Sequence, residues 1–333
     1  MKALVYEGPK LMNIRETAAP VPGEDEVLVR VARAGICGSE LSGYLGHNSL
    51  RKPPLIMGHE FSGTIERVGS DVNRFQAGDR ITANPLVTCG RCAACTTGAA
   101  QLCAERKLLG AHLPGAFAEY VVVPEHNIHR LEPHVSFEEG AFTEPFACAV
   151  HICNLLKLHP SGRLLIMGAG PIGLLTLQAA RIFGLQDITV IDLNEERLEI
   201  ARELGAAAAT RLELPGSGGS LNAFDAAVDA VGMQVTRAGC VKAVKLGGSV
   251  VFSGLHEDSS QLPLNDMIRS EIKTYGAFAY SPADFSAALQ WIAQRKMRLS
   301  PWSTLAPLED GSSCFDKLIG SPGRTAKILL TLD

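Results

Sequence analysis

The chain has 333 residues, of which 46% are hydrophobic and 20% are charged, and its formal net charge is −4. This length exceeds the ~250–300 residues at which one core usually divides, so we expect two domains. Acids and bases are interspersed without a basic stripe, which argues against nucleic-acid binding. No apolar run approaches the ~18–20 residues needed to span a bilayer, and we expect no membrane partner. Residues 1–10 do not resemble a secretory leader, so the expected compartment is the cytoplasm.

The N-terminal part, residues 1–145, is predicted to be a β-rich domain. Residues 26–33 alternate polar with apolar side chains, as a half-buried strand does. Residues 61–68 and 119–123 are further strand candidates, and Gly and Pro mark turns between them. The pattern indicates an irregular β-domain.

Short apolar strands alternate with helices over residues 146–280. Strands are predicted at residues 164–167, 188–191, 225–229 and 249–252, and helices at residues 171–183, 195–204 and 236–245. Residues 215–220 are interpreted as a Gly- and Ser-rich loop within this domain. Alternating strands and helices predict an α/β architecture with a doubly wound parallel sheet.

The C-terminal part, residues 281–333, begins with a helix signal. Ser281 is a predicted N-cap, Pro282 occupies the first helical position, and Asp284 lies near the positive helix end. A closing strand is expected at residues 326–331. We expect this tail to return to the first domain.

A glycine-rich motif connects the first predicted strand of the second domain to the helix that follows. Its residues are Gly168, Ala169, Gly170, Pro171, Ile172 and Gly173. The first Gly suits a tight turn, the second allows close approach of a pyrophosphate, and the third allows helix and strand to pack closely. An acid at the end of the next strand, Asp192, suits the adenosine ribose and predicts NAD, with an N-cap for the helix that follows as the alternative role. Arg197 is included in the predicted cofactor site, although a solvated helix side chain is the alternative.

Four cysteines cluster within fifteen residues of one another. They are Cys89, Cys92, Cys95 and Cys103, out of nine in the chain. In a reducing compartment such a cluster favours a closed, tetrahedral structural Zn²⁺ over disulfides. Free or redox-active thiols are the alternative.

A second candidate metal site is more dispersed. Cys37 lies in a Gly-rich segment with Ser39, and His59 follows 22 residues later with Glu60 beside it. Cys and His with an acid leave a fourth position for water or substrate, the pattern of catalytic zinc. Taken singly, each residue is better explained as a buried Cys or a core His, and the combination favours zinc.

In combination these motifs resemble the zinc-containing medium-chain dehydrogenases. The motifs occur in the family's order over nearly the whole chain: residues 35–39, residues 58–60, the four-Cys segment, residues 110–123, Glu144-Pro145 and the loop at Gly168. The similarity is greatest to the polyol, sugar-acid and threonine dehydrogenase branch. There Glu144-Pro145 stands where simple alcohol dehydrogenases carry a third zinc Cys.

The resemblance implies a GroES-like catalytic domain, a Rossmann domain and a C-terminal return to the first. It implies two zinc ions per chain, with Cys37 and His59 as catalytic ligands and either Glu60 or Glu144 as the third. Ser39 would hydrogen-bond the hydroxyl of a small alcohol substrate, whose hydride passes to NAD. The resemblance also implies a homodimer or homotetramer.

Some positions leave alternatives open. Many family members carry a His at the position five residues after the zinc Cys, where this chain has Ser42, so His47 is a candidate for releasing the proton, with an ordinary surface His as the alternative. Arg51 and Lys52 are interpreted as a solvated charge pair, with binding of a substrate carboxylate or phosphate as the alternative. The rival functions are an NADP-linked reductase of the same fold and a dinucleotide-binding protein without turnover.

Overall fold

The computed structural model describes residues 1–211, 223–299 and 302–332, so the predicted loop at residues 215–220 lies outside the described residues. The chain divides into two compact units. The first comprises Met1–Glu144, Ser281–Arg295 and Ser303–Asp333, and the second comprises Pro145–Tyr280 and Lys296–Trp302.

The secondary structure of the described residues follows in chain order. The strands are β1 (Lys2–Gly8), β2 (Leu11–Glu16), β3 (Glu26–Gly35), β4 (Leu55–Ile56), β5 (Glu60–Val68), β6 (Arg80–Ala83), β7 (Leu86–Val87), β8 (Lys107–Leu108), β9 (Tyr120–Pro124), β10 (Ile128–Arg130), β11 (Arg163–Met167), β12 (Asp187–Asp192), β13 (Ala208–Arg211), β14 (Phe224–Asp229), β15 (Val244–Phe252), β16 (Lys273–Gly276), β17 (Ser303–Pro307) and β18 (Lys327–Thr331). The helices are α1 (Gly38–Tyr44), α2 (Ala93–Thr96), α3 (Phe137–Ala141), α4 (Thr143–Leu156), α5 (Pro171–Ile182), α6 (Glu195–Glu203), α7 (Gln234–Ala243), α8 (Leu264–Arg269), α9 (Pro282–Ala293) and α10 (Gly311–Gly320).

The first unit is built on a seven-stranded sheet in the order β10-β6-β5-β3-β18-β17, with β9 also paired to β3. The C-terminal strand β18 runs antiparallel to β3, and Leu329 lies opposite Gly35. In β3, Val29 and Val31 are buried and Arg30 is exposed, as the alternating pattern predicts. Leu28 is buried as well, although it lies on the other face of the pleat. This pairing places the end of the chain beside the strand that precedes Cys37.

The second unit contains a six-stranded sheet in the order β13-β12-β11-β14-β15-β16, and every neighbouring pair is parallel. Counted from the first strand of the unit, this order is 3-2-1-4-5-6, the arrangement of doubly wound dinucleotide-binding sheets. The middle strands have apolar centres, and Ile166, Val190 and Val228 have no exposed surface. The predicted parallel sheet is confirmed.

Local capping sets the helix starts. Ser281 caps α9 by accepting a hydrogen bond from the Asp284 N–H at 3.1 Å, as predicted. Asn194, rather than Asp192, caps α6, because its side chain accepts from the Arg197 N–H at 3.3 Å. Asp192 is therefore available at the strand end for another role. Within the described part of the chain, no helix combines the length and the apolar character that a membrane crossing requires.

Candidate active site

The four-Cys cluster lies on a short lobe of the first unit. Its Sγ atoms lie within 4.8 Å of one another. Cys103 is 3.6 Å from Cys89, and Cys95 is 3.5 Å from Cys92. Four thiols at these separations suit one tetrahedral zinc with no position left for substrate.

The surroundings shift the pKa values of two thiols in this lobe in opposite directions. The backbone N–H groups of Arg91 and Cys92 lower the pKa of the Cys89 thiol to about 6. The Cys95 N–H also lowers the pKa of Cys92, but hydrogen bonds from neighbouring thiols together with burial outweigh it and raise that pKa to about 11. Neighbouring thiolates repel one another, so a bound cation would stabilise them. The deprotonated thiol is also the form that binds metal.

The second metal-ligand group combines the residues predicted from the two dispersed motifs. One ligand atom each from Cys37, His59 and Glu60 lies within a cluster 4.8 Å across. Cys37 is the N-cap of α1, and Glu60 opens β5. His59 and Glu60 are buried. A thiolate, an imidazole and a carboxylate fit zinc, and three protein ligands leave a fourth position open.

Two glycines make room for this group. Gly58 has φ +101°, and a Cβ there would lie 2.7 Å from the Phe117 backbone nitrogen. A Cβ on Gly35 would collide with the Glu60 carboxylate. A larger residue at Gly35 would displace the Glu60 carboxylate, and one at Gly58 would collide with Phe117 and adopt a strained φ, which explains why both motifs contain glycine.

Glu40 is a buried acid that orients the metal ligands. Its Oε1 accepts the Gly58 N–H at 2.8 Å and lies 2.8 Å from His59 Nδ1, while its Oε2 accepts the Cys37 N–H at 3.0 Å. Burial raises the pKa of Glu40, but the charges and hydrogen bonds of His59, followed by Arg51, outweigh it and lower that pKa below 4.5. With Nδ1 hydrogen-bonded to Glu40, His59 keeps Nε2 for a metal.

Lys327 on β18 binds the Glu60 carboxylate. Its Nζ donates to both Glu60 oxygens and to the Ile36 carbonyl at 3.0 Å. Burial lowers the pKa of Lys327, but the charges of Glu60 and Cys37 outweigh it and raise that pKa. Glu144 is also buried and adds to the same effect, although the clustered ligand atoms are those of Cys37, His59 and Glu60. Glu60 and Glu144 are therefore both candidates for the third protein ligand of the metal.

Glu40 and Lys327 were not among the site residues predicted from the sequence. The spacing from Cys37 to Glu40 is that of a capping box, a signal that was present in the sequence. For Lys327 no local signal exists, since 267 residues separate it from Glu60.

Ser39 and Arg51 lie beside the thiol ligand. The Ser39 hydroxyl is 3.4 Å from Cys37 Sγ and accepts a hydrogen bond from Arg51 Nη2 at 3.1 Å. Arg51 is only 4% exposed, so its interpretation as half of a solvated charge pair is wrong, whereas Lys52 is exposed. The loop folds Arg51 inward because Gly43 leaves space for its side chain. His47 is exposed, and its backbone N–H donates to the Ser42 carbonyl at 2.9 Å.

The glycine-rich loop of the second unit has the geometry that its sequence predicts. Gly168 has φ +104°, and a Cβ on Gly173 would collide with the Gly168 carbonyl. At Gly170, the residue before α5, a Cβ would meet nothing within 4 Å. The protein's own packing therefore does not require glycine there. Open space at the N-terminus of a 12-residue helix fits a pyrophosphate.

Asp192 ends β12 beside this loop. Its Oδ2 accepts the Ala169 N–H at 2.5 Å and its Oδ1 accepts the Asn194 N–H at 2.8 Å. Arg197 is less solvated than predicted, because its Nε is buried and has no hydrogen-bond partner among the described residues. Burial lowers the pKa of Arg197, and the nearby Asp192 charge opposes this effect.

Comparison with known proteins agrees with both units. Residues 23–133 match the alcohol dehydrogenase GroES-like domain, and residues 171–294 match the zinc-binding dehydrogenase domain. L-idonate 5-dehydrogenase of Vitis vinifera is 34% identical over 311 residues, which cover 89% of this chain and 85% of the relative. Sorbitol dehydrogenase of Bacillus subtilis is 34% identical over 294 residues, with coverages of 84% and 83%.

A solved structure shares the whole fold. The crystal structure of a short chain alcohol dehydrogenase (rspB) from Escherichia coli CFT073, complexed with cofactor NADH, has a TM-score of 0.93 at 28% identity. The match covers 100% of this chain and 99% of that chain. This chain belongs to the zinc-containing medium-chain dehydrogenases, in their polyol dehydrogenase branch. The predicted family, the GroES-like and Rossmann fold and the oxidoreductase class are confirmed.

Proposed function

We propose that this chain oxidises a secondary hydroxyl of a polyol, a sugar acid or a similar small alcohol, and that NAD accepts the hydride. The observation that carries the proposal is the grouping of Cys37, His59 and Glu60 ligand atoms within 4.8 Å. Two relatives at 34% identity act on L-idonate and on sorbitol by name, which supports this substrate class.

The chain's residues have distinct parts in the proposed reaction. Bound at this group, zinc supplies Lewis acidity to the substrate oxygen, and the nicotinamide supplies the hydride acceptor. Glu40 keeps His59 in the tautomer that presents Nε2. The Ser39 oxygen has two lone pairs, and Arg51 occupies one of them. The second can accept a hydrogen bond from the substrate hydroxyl and orient it, while the Ser39 hydrogen points to Cys37 Sγ.

The third protein ligand is either Glu60 or Glu144. The sequence favours Glu144 because of its position before Pro145, and this stays a prediction. The arrangement described here favours Glu60, which lies in the ligand cluster but is also bound by Lys327. A zinc-bound structure decides between them, since a ligating carboxylate oxygen lies ~2.0–2.2 Å from zinc. A Glu144 oxygen beyond ~4 Å would assign the position to Glu60 or to water.

The preference for NAD rests on Asp192. Two backbone N–H groups hold its carboxylate at the end of β12. There it can accept hydrogen bonds from ribose hydroxyls, each worth about 1.5–3 kcal/mol, whereas a 2′-phosphate would meet like charge. We expect at least ~100-fold preference for NAD in kcat/KM, since ~1.4 kcal/mol is tenfold. The buried, unpartnered Nε of Arg197 supports NADP as the second candidate.

Steady-state rates of nicotinamide reduction test the proposal. Zinc-loaded enzyme is assayed with polyols, sugar acids, sugar phosphates and β-hydroxy amino acids, each with NAD and with NADP. Cys37→Ala is the inactive control. The Asp192→Ser variant is expected to lose most of the NAD preference. Equal use of both cofactors by the unaltered chain would contradict the role of Asp192, and no reduction with any alcohol would contradict the function.

The proposed assembly is a homodimer or homotetramer in the cytoplasm, where thiol ligands stay reduced. Strand β16 lies at an edge of the six-stranded sheet, and Leu264 and Ile268 in the preceding helix are exposed. Uncovered sheet edges and apolar side chains favour pairing with a second copy. Light scattering that gave only the monomer mass at micromolar concentration would reject this assembly.

A further inference from the structure

Arg51 is a buried cation beside the metal-ligand group, and its role is not explained by zinc binding. Its side chain is 4% exposed, and its Nη2 donates to Ser39, whose hydroxyl lies 3.4 Å from Cys37 Sγ. Its Nε is buried and has no hydrogen-bond partner within the described ranges. A permanent positive charge therefore lies two hydrogen bonds from the metal-binding thiol.

The protein itself does not neutralise this charge through a direct ion pair. Among the described residues, no carboxylate oxygen forms an ion pair with Arg51 within 4.0 Å. The Arg51 charge acts on Glu40, but the Glu40 oxygens are already engaged by Cys37, Gly58 and His59. Burying an unpaired cation is costly, and a buried charge normally has a partner.

The geometry of the guanidinium indicates what such a partner is. Nε and Nη2 share one edge of the planar group, and this edge binds carboxylates and phosphates by two parallel hydrogen bonds. Here Nη2 uses one of its two N–H bonds on Ser39, which leaves the other, together with the unpartnered Nε–H. The side chain is positioned by packing, because a Cβ on Gly43 would lie 2.6 Å from Arg51 Cδ.

We propose that Arg51 binds an anionic group of the substrate, so that this chain oxidises sugar acids or sugar phosphates in preference to neutral polyols. The proposal rests on the proposed dehydrogenase function and narrows its substrate class. Because Arg51 Nη2 lies 3.1 Å from the Ser39 oxygen, an acid bound by Arg51 and a hydroxyl bound by Ser39 can belong to one small molecule. The anion also neutralises the charge that the protein leaves unpaired.

Turnover of three matched probe classes tests the proposal. The probes are the epimeric hexitols, the corresponding hexonates and the hexitol phosphates, which differ only in their terminal group. Zinc-loaded enzyme is expected to oxidise one anionic class with a kcat/KM at least ~30-fold above that for the hexitols. Whichever of the hexonates and the hexitol phosphates has the higher kcat/KM shows whether the bound group is a carboxylate or a phosphate. Arg51→Met should lower kcat/KM for that anionic class by ~100-fold, through KM, and should lower it at least ~10-fold less for the hexitols, which lose only the contact between Arg51 and Ser39.

Two further variants serve as references. Arg51→Lys keeps the charge and loses the two-pronged edge, so we expect it to recover only part of the affinity. Lys52→Met removes an exposed charge from the same loop and should change neither class. An equal loss for hexitols and anions in Arg51→Met would overturn the proposal, because it would make Arg51 a positioning residue for Ser39.

Equilibrium binding separates this inference from the dehydrogenase function. Calorimetry with hexonates, hexitol phosphates and hexitols is carried out on zinc-loaded wild type and Arg51→Met, without turnover. Tighter binding of an anion to the wild type, lost in the variant, supports the proposal even if no probe is oxidised. Equal binding of anions and hexitols to the wild type would overturn it, whereas absent turnover alone contradicts only the proposed function.

Discussion

The candidate metal ligands of the four-Cys lobe all come from residues 89–103, whereas the group of Cys37, His59 and Glu60 joins two segments, and the distant Lys327 binds its Glu60 carboxylate. In the lobe the ligands are surrounded mainly by backbone N–H groups. In the second group they are surrounded by buried charged side chains.

This difference indicates different tasks. Four thiols would close the coordination of a zinc bound in the lobe, and that zinc would contribute folding free energy. The second group combines three ligands with partners that orient them, Glu40 on His59 and Lys327 on Glu60. Oriented ligands with one position left open are the arrangement that chemistry on a substrate needs.

The largest expected effect is on activity in Cys37→Ala. Loss of this ligand should remove one zinc and lower kcat by at least ~10³-fold, because metal stabilisation of developing charge is worth several kcal/mol. Circular dichroism should show a folded protein. Cys314→Ala, a buried thiol outside both ligand groups, is the control and should keep both zinc ions. Full activity in Cys37→Ala would show that the second group is not catalytic.

Lys327→Met should lower stability, since it leaves the buried Glu60 charge without its partner. Breaking a buried pair costs about 3–5 kcal/mol. If zinc binds Glu60, the metal replaces the lost cation, so the destabilisation should be smaller in zinc-loaded than in zinc-free protein. Urea unfolding of both forms measures this. The same destabilisation with and without zinc would mean that Glu60 does not reach the metal, and would favour Glu144.

Glu40→Gln should weaken zinc binding at the second group by ~10–100-fold, because the amide cannot accept all the hydrogen bonds that orient His59 and the Cys37 backbone. In competition with a chelating dye, the zinc of the second group should be released at a lower dye concentration than in the wild type, and release from the four-Cys lobe should be unchanged. Glu105→Gln is the matched change beside the four-Cys lobe, where an exposed pair with Arg91 at 3.7 Å contributes little. Early release of zinc in Glu105→Gln would remove the distinction between the two groups.

The two metal-ligand groups also differ in how much of each could be predicted from the sequence. The four-Cys lobe, the Gly168 loop and the parallel sheet depend on local spacing and periodicity, and all were predictable. The fold class was predictable because strand–helix alternation spans the whole second unit. The role of Lys327 was not predictable, since only the antiparallel pairing of β18 with β3 brings it to Glu60. Arg51 was assigned to solvent because sequence cannot show that Gly43 leaves room for it.

The most direct test is to measure the zinc content and the melting temperature of the same samples of wild type, Cys37→Ala and Cys95→Ala. The account predicts two zinc ions per chain in the wild type. It predicts one in Cys37→Ala with an almost unchanged melting temperature. It predicts at most one in Cys95→Ala, with melting lowered by about 10 °C or aggregation, because structural zinc contributes to folding. A single zinc in the wild type, or equal loss of stability in both variants, would contradict the division into one catalytic and one structural site.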